Sequence, residues 1–254
     1  MAKSSETKTK SKTRSILEIV LYSVIGLATV TAIVISITTI YHNNHYTKFW
    51  VNGQSMYPTL NKNAKYEDGT LIGERRIGGP NNTYDVDYGF MDTREETINQ
   101  ISRFDIIVCH LDNGGDTVIK RVIALPGETF YLSTSSINPD DNGNLFVKTS
   151  NSDNFTLVEQ PIDSQIVHGG KYDYKPQYND SINGYTLASN EYFVMGDNRY
   201  AGNSVDSRQF DKGVLRENID GKVIGLEATC KISLDQETGK YTPVQIHYYI
   251  PRYL

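Results

Sequence analysis

The chain has 254 residues, of which 38% are hydrophobic and 22% charged, enough for one large or two small domains behind a short tail. Its net charge of −5 is uneven: Lys3, Lys8, Lys10, Lys12 and Arg14 stand against Glu6 in residues 1–15, which leaves 20 basic against 29 acidic residues in the rest. That acidic remainder argues against nucleic acid as a partner, and two lone cysteines, Cys109 and Cys230, exclude a disulfide framework.

Residues 1–15 read as a basic tail. The next feature is Ile19–Tyr41, an uncharged run of 23 residues rich in Ile, Val, Leu, Ala and Thr. About 20 such residues cross a hydrocarbon core of ~30 Å. A secretory signal has a shorter apolar stretch and small residues at its cleavage point. The segment Tyr41-His42-Asn43-Asn44-His45 offers none, so residues 16–41 are expected to be a retained transmembrane helix. The basic tail places the N-terminus in the cytoplasm and everything after about residue 42 outside. Phe49 and Trp50 follow the span closely and suit the membrane–water interface; the alternative is that Trp50 opens the first core strand. Ser55 lies 15 residues beyond Ile40, so its chemistry is expected near a lipid bilayer.

After residue 50 short apolar runs alternate with turn residues. Strands are expected at Thr70–Arg75, Asp105–His110, Thr117–Ala124, Thr129–Leu132, Leu145–Thr149, Glu191–Met195, Val223–Ser233 and Val244–Ile250. Gly78–Gln100 reads as a loop or small insertion. Residues 130–189 turn polar and rich in Asn, Asp, Ser and Gly, as an inserted lobe would. The class is mainly β, a folded-over sheet or open barrel, with 42–129 and 190–254 as the core.

Lys120 is the most informative residue. Side chains alternate along a strand, so Val118, Lys120 and Val122 share a face. An ammonium between two valines on a core-facing surface is desolvated, which lowers its pKa. Such a lysine can take a proton from a serine. Gly53-Gln54-Ser55-Met56-Tyr57-Pro58 offers one. Each feature alone has a plain structural explanation: an edge-strand lysine, and ordinary Ser-x-x-Pro turn chemistry.

Four segments in order change that balance: Ser55-Met56-Tyr57-Pro58-Thr59-Leu60, Arg103-Phe104-Asp105-Ile106-Ile107-Val108, Ile119-Lys120-Arg121-Val122 through Glu128, and Phe193-Val194-Met195-Gly196-Asp197-Asn198-Arg199 with Asn203-Ser204-Val205-Asp206-Ser207-Arg208. With the anchor before them they resemble the type I signal peptidases, the bacterial leader peptidases, as far as about Ile232. The resemblance implies an extracytoplasmic β-rich catalytic core with an inserted second β lobe. It implies a membrane-anchored serine endopeptidase that removes signal peptides from exported preproteins, cutting after small residues. Ser55 matches the nucleophile and Lys120 the general base. Ser204 matches the hydroxyl that orients the amine. Asp206 and Arg208, with Arg121, match a supporting ion-pair group. Gly196, Asp197 and Asn198 match the turn that holds this segment to the dyad. Met56 and Ile119, beside the two catalytic groups, are expected to wall shallow apolar pockets.

Three positions depart from the pattern. Gly53 stands where many relatives place a hydroxyl for the oxyanion. Phe104 replaces a glycine, with an effect expected on local packing only. The stretch Arg199–Asn203 is long, so it must bulge for Ser204 to reach Lys120, and Gly202 permits that.

No cofactor, metal or nucleotide is expected: His42, His45, His110, His168 and His247 have no ligand spacing, and no phosphate loop appears. Three other readings remain. A cytosolic Ser/Lys autoprotease of the repressor-cleaving kind would carry a DNA-binding domain in place of the span. A sortase-like transpeptidase would use Cys230, in Leu226-Glu227-Ala228-Thr229-Cys230. A non-catalytic or specialised anchored scaffold would serve surface-protein, pilus-like assembly.

Overall fold

The structure is a computed structural model of the chain; it describes residues 2–64, 83–111, 115–134, 142–148, 154–163, 166–167, 175–200, 202–235 and 237–254, with side chains from residue 16 onward. The expected strand at Thr70–Arg75 lies outside the described residues. Two compact units divide the chain, Met1–Tyr46 and Thr47–Leu254.

The first unit is helix α1, Ala2–His45. Within its stretch Ile16–His45 an 18-residue window reaches a mean hydropathy of 2.3, and none of that window is buried. At about 1.5 Å per residue, 30 residues reach well past a ~30 Å hydrocarbon core. Several of its hydroxyls are satisfied within the helix: Ser23, Thr29, Thr31 and Ser36 each donate to the carbonyl four residues earlier at 2.8 Å. Hydroxyls bonded back to the helix's own carbonyls suit a medium without water.

The second unit is built from β1 Tyr46–Trp50, β2 Thr83–Asp92, β3 Ile106–His110, β4 Thr117–Ala124, β5 Thr129–Leu132, β6 Leu145–Lys148, β7 Phe155–Val158, β8 Tyr185–Thr186, β9 Glu191–Met195, β10 Val214–Leu215, β11 Ile219–Leu234 and β12 Tyr241–Tyr253, with a short helix α2, Glu95–Ile98. The larger sheet runs β1-β2-β11-β3-β4-β9-β10, with β12 also paired to β11. The smaller one runs β7-β6-β5-β8. The class is mainly β with antiparallel pairing, as the sequence indicates.

Strand β11 holds the larger sheet together. It alternates buried and half-buried residues from Ile219 to Ile232, with one slip where Gly225 and Leu226 are both buried. The register against β2 shifts at the same place. An extra residue there re-aims the strand, the usual effect of a bulge. It lets one strand pair with β3 at its start and with β12 farther on.

One expectation fails here. Gly78–Gln100 is no simple loop, since it contains the ten-residue strand β2, buried through most of its length, and α2. Its Tyr, Asp and Gly content hides a strand that is covered on both faces. Trp50 closes β1 and packs on the cluster of Tyr84, Val86 and Ala228. Trp50 thus belongs to the first core strand, at its end and not at its start.

The smaller sheet, within residues 129–186, shares a core with β4 and β9. Phe130, Leu132, Leu145 and Val147 pack with Ile123, Ala124, Phe193 and Met195. The Phe130 and Phe193 rings are 4.6 Å apart. This packing holds β4 and β9 rigid behind the residues that concern function.

Candidate active site

Three elements converge. Strand β4 supplies Lys120 and Arg121. The loop after β1 supplies Ser55. The segment after β9 supplies Gly196 to Arg208. Lys120 pairs across the ladder with Ile107, which is fully buried, and its neighbour on the same face, Val122, is also fully buried. The lysine side chain is therefore committed to an apolar surface, and Lys120 is only 2% exposed. Burial pushes its amine below the ordinary lysine range; Asp206 opposes that shift and Arg208 adds to it.

Lys120 Nζ lies 2.9 Å from Ser55 Oγ and 2.9 Å from the Ile119 carbonyl. These are its two hydrogen-bond partners among the described residues. Ser204 is buried nearby, but its hydroxyl donates to Asp206 Oδ2 at 2.7 Å instead of meeting Lys120. A carboxylate is the stronger acceptor, so it takes the one hydroxyl proton. The serine oxygen keeps its lone pairs.

Asp206 is the hub of this segment. Its carboxylate accepts from Arg208 Nε at 2.7 Å, Arg208 Nη2 at 2.8 Å and the Gly196 N–H at 2.9 Å. Burial works against its charge, but the Arg208 guanidinium and these hydrogen bonds hold its carboxyl below the usual range. Arg121 is not part of that pair. It grips Asp197 bidentately, at 2.8 and 2.6 Å, and donates to the Phe104 carbonyl at 2.7 Å. Two separate buried ion pairs thus replace the single expected group.

Asn198 ties the segment to the nucleophile: its N–H donates to the Ser55 carbonyl at 2.9 Å, and its side chain to the Gln54 carbonyl at 3.1 Å. Gly202 has φ +78°, the left-handed backbone that the long stretch before Ser204 needs, and Asn203 N–H closes a turn on Tyr200 at 3.1 Å.

Phe104 also corrects an expectation. Its φ is +72°, so the change from glycine is felt in the backbone as well as the packing. A bulky residue in that region costs on the order of 1–3 kcal/mol. Two things hold it there: its carbonyl serves Arg121, and its ring leans on the Phe130 cluster.

A cavity of about 480 Å³ opens beside Ser55, walled by Phe49, Val51, Met91, Val108 and Ile119. Ile119 is in that wall. Met56 is not: it is fully buried among Phe49, Leu60 and Leu226. The residue after Ser55 turns inward, and β1, β2 and β3 supply the apolar surface instead. Both cysteines are free and buried, and burial pushes the Cys109 thiol to about 12. A buried Cys230 is no nucleophile for a transpeptidase. Among the described residues no cluster of ligands could hold a metal.

Sequence reasoning missed Asn61, Asp87, Gln54 and Asn203, which brace the nucleophile loop. Asn61 is fully buried with φ +60°, and its one visible signal was an asparagine just past the Ser-x-x-Pro turn.

A buried amine on a β-strand, a serine on the adjoining loop and an apolar cleft together define a hydrolase of the serine endopeptidase class. Comparison with known proteins agrees with that geometry. The family described as "Signal peptidase, peptidase S26" matches residues 20–226, and the chain belongs to it. Signal peptidase I S of Bacillus subtilis (strain 168) is 28% identical over 187 residues, 73% of this chain and 79% of that protein. Signal peptidase I U of the same organism is 28% identical over 211 residues, 80% of this chain and 83% of that protein. The activity is accordingly that of a signal peptidase I serine endopeptidase, which removes signal peptides from exported preproteins.

Proposed function

We propose that this enzyme works by a Ser/Lys dyad, with Ser55 as nucleophile and Lys120 as general base. The observation that carries the reading is the 2.9 Å contact between Ser55 Oγ and a lysine amine that is 2% exposed. The neutral amine accepts the Ser55 proton as Oγ bonds to the scissile carbonyl carbon. The carbonyl electron pair moves to oxygen, where preorganised donors must hold it. The Ser55 backbone N–H is the first of these; Gly53 offers no side chain. The C–N bond then breaks, Lys120 returns its proton to the leaving amine, and an acyl-enzyme remains. Water, deprotonated by Lys120, releases the signal peptide and restores Ser55.

Ser204 supports the amine as an acceptor. Its proton is committed to Asp206, so its lone pairs are available to one Lys120 N–H as the dyad turns over. Asp206, Arg208, Arg121 and Asp197 hold the segment in register, and Gly196 and Asn198 keep it against Ser55. The residues before the cut lie in this apolar cleft, with Ile119 in its wall, and are expected to be small.

The domain scheme follows the same reading. Residues 1–15 form a cytoplasmic tail and 16–41 lie within a single-pass anchor in the cell membrane. Residues 42–129 and 190–254 form the extracytoplasmic catalytic core, and 130–189 the inserted lobe. Support comes from the exposed apolar face of Ile16–His45 and the separate four-stranded sheet.

The test is cleavage of a preprotein by the full chain beside Ser55→Ala and Lys120→Ala. Loss of product in both variants, with circular dichroism unchanged, is expected. Equal cleavage by all three would end the proposal.

A further inference from the structure

The nucleophile sits on a loop whose base is bridged by the Asn61 side chain. Asn61 donates through Nδ2 to the carbonyls of Val51 and Gly53, both at 2.8 Å. Its Oδ1 accepts the Asp87 N–H at 2.7 Å, and its own N–H donates to Asp87 Oδ2 at 2.7 Å. Val51 N–H in turn donates to the Asp87 carbonyl at 3.0 Å. The entry to the loop, its exit and strand β2 are thus locked together in a buried knot, with Ser55 held between.

Asn61 makes this possible through its own backbone. At φ +60° it occupies the left-handed region, which asparagine tolerates better than other residues with side chains. That turn aims the amide back at Val51 and Gly53. Residues on a free loop would spend much of their time away from Lys120, and an error of about 1 Å in the attacking atom is worth ~100-fold in rate. The Asn198 contacts steady Ser55 from the other side, but they leave the loop's two ends untied.

We infer that Asn61, seated on Asp87, is a positioning residue for the peptidase reaction: it acts through the Ser55 loop and sets how often Oγ stands within reach of Lys120 Nζ. The inference rests on the dyad reading given above. It assigns no contact with substrate to Asn61, which is fully buried, so binding of the preprotein is unaffected. The Asp87 carboxylate serves Asn61 as an acceptor only, and one carboxyl oxygen suffices for that task.

The experiment uses the full chain in detergent, with kcat and KM for a preprotein measured at a temperature where each variant is fully folded by near-ultraviolet circular dichroism. Asn61→Gly keeps the left-handed backbone and removes the side-chain bonds. Asn61→Asp keeps the Oδ1 acceptor and removes the two donors to Val51 and Gly53. Both are expected to lose about 100-fold in kcat with KM within about twofold. Asp87→Asn, which retains an acceptor oxygen for the Asn61 N–H, is expected to keep kcat within a few-fold. An unchanged kcat in Asn61→Gly overturns the inference, as does a loss of rate that only tracks the folded fraction, or a pair of Asn61 variants that do not fold. Ser55→Ala separates the two levels: if it is inactive while Asn61→Gly is normal, the dyad stands and the clamp falls. If Ser55→Ala is fully active, the dyad reading itself has failed.

Discussion

Ser204 Oγ lies 2.2 Å from the point where a β-carbon on residue 196 would sit. The Ser55 carbonyl oxygen is 2.4 Å from the same point. Gly196 is therefore the place where the segment after β9 and the nucleophile loop touch, and backbone contact leaves no room for a methyl group. The N–H of Gly196 also donates to Asp206, so the residue cannot retreat without releasing the hub. Gly196→Ala must push Ser55 and Ser204 apart. We expect cleavage to fall ~100-fold or more, as misplaced reacting groups do. Preprotein turnover by the purified variant measures it, and activity within a few-fold of wild type would show that the loop yields freely.

The pH dependence follows from the direction of the Lys120 shift. Burial and Arg208 disfavour the ammonium, while Asp206, Asp197 and Cys109 favour it; the net shift is downward from 10.5. On the proposed mechanism only the neutral amine is active. The rate should rise with pH through the folded-state pKa and reach its plateau below the range of a free lysine. Stability carries the matching signature. A proton binds Lys120 less readily in the folded chain than in the unfolded one. The resulting penalty is fully present below the folded-state pKa and fades as pH climbs toward 10.5. Lys120→Met removes the penalty, so it should be inactive yet at least as stable as wild type near neutrality. The advantage should vanish near 10.5. Urea midpoints across pH read this directly; a variant less stable at every pH would mean that the amine is not held against its charge.

Thiol reagents provide a negative control. Cys109 is buried with its thiol pushed to about 12, and burial raises that of Cys230 as well. Burial keeps both thiols from iodoacetamide and disfavours the thiolate that would attack it. Treatment of the folded enzyme should leave cleavage unchanged, with both cysteines unmodified by mass spectrometry until denaturant is added. Rapid loss of activity with one label at Cys230 would restore a thiol nucleophile.

What could be read from the chain, and what could not, divides along physical lines. The alternation of Val118, Lys120 and Val122 was enough to bury the lysine, because period-two patterning decides which face meets the core. The limits of β4 and β9 follow from the turn residues that bound both runs, since β9 is buried throughout and shows no alternation. Strand β2 was missed because Tyr, Asp and Gly mask the pattern when both faces are covered. Met56 was assigned to a pocket by adjacency in sequence, but a turn residue's direction depends on backbone angles that adjacency does not reveal. The resemblance groups Arg121 with Asp206 and Arg208, but its partner Asp197 is chosen by a bidentate geometry that only the folded segment sets. The Asn61 knot was invisible because its value lies in a left-handed φ and in carbonyls that lack any sequence mark.

The two kinds of ion pair in this fold should respond very differently to mutation. Arg121 and Asp197 have side chains 9% and 0% exposed, and the guanidinium spends three of its donors on Asp197 and the Phe104 carbonyl. Asp197→Ala leaves a buried cation facing no carboxylate, which costs about 3–5 kcal/mol. Lys175 and Asp211 are paired too, but their side chains are 36% and 79% exposed, and water screens the charges. Lys175→Ala should change stability by less than about 1 kcal/mol. Urea denaturation of both variants gives the comparison. The activity of Asp197→Ala should also fall beyond what its folded fraction explains, because Asp197 lies next to Gly196, whose N–H holds Asp206. Equal, small losses in the two variants would mean that the Arg121 pair is solvated, and that the turn after β9 is held without it, by the Asn198 bonds to the Ser55 and Gln54 carbonyls.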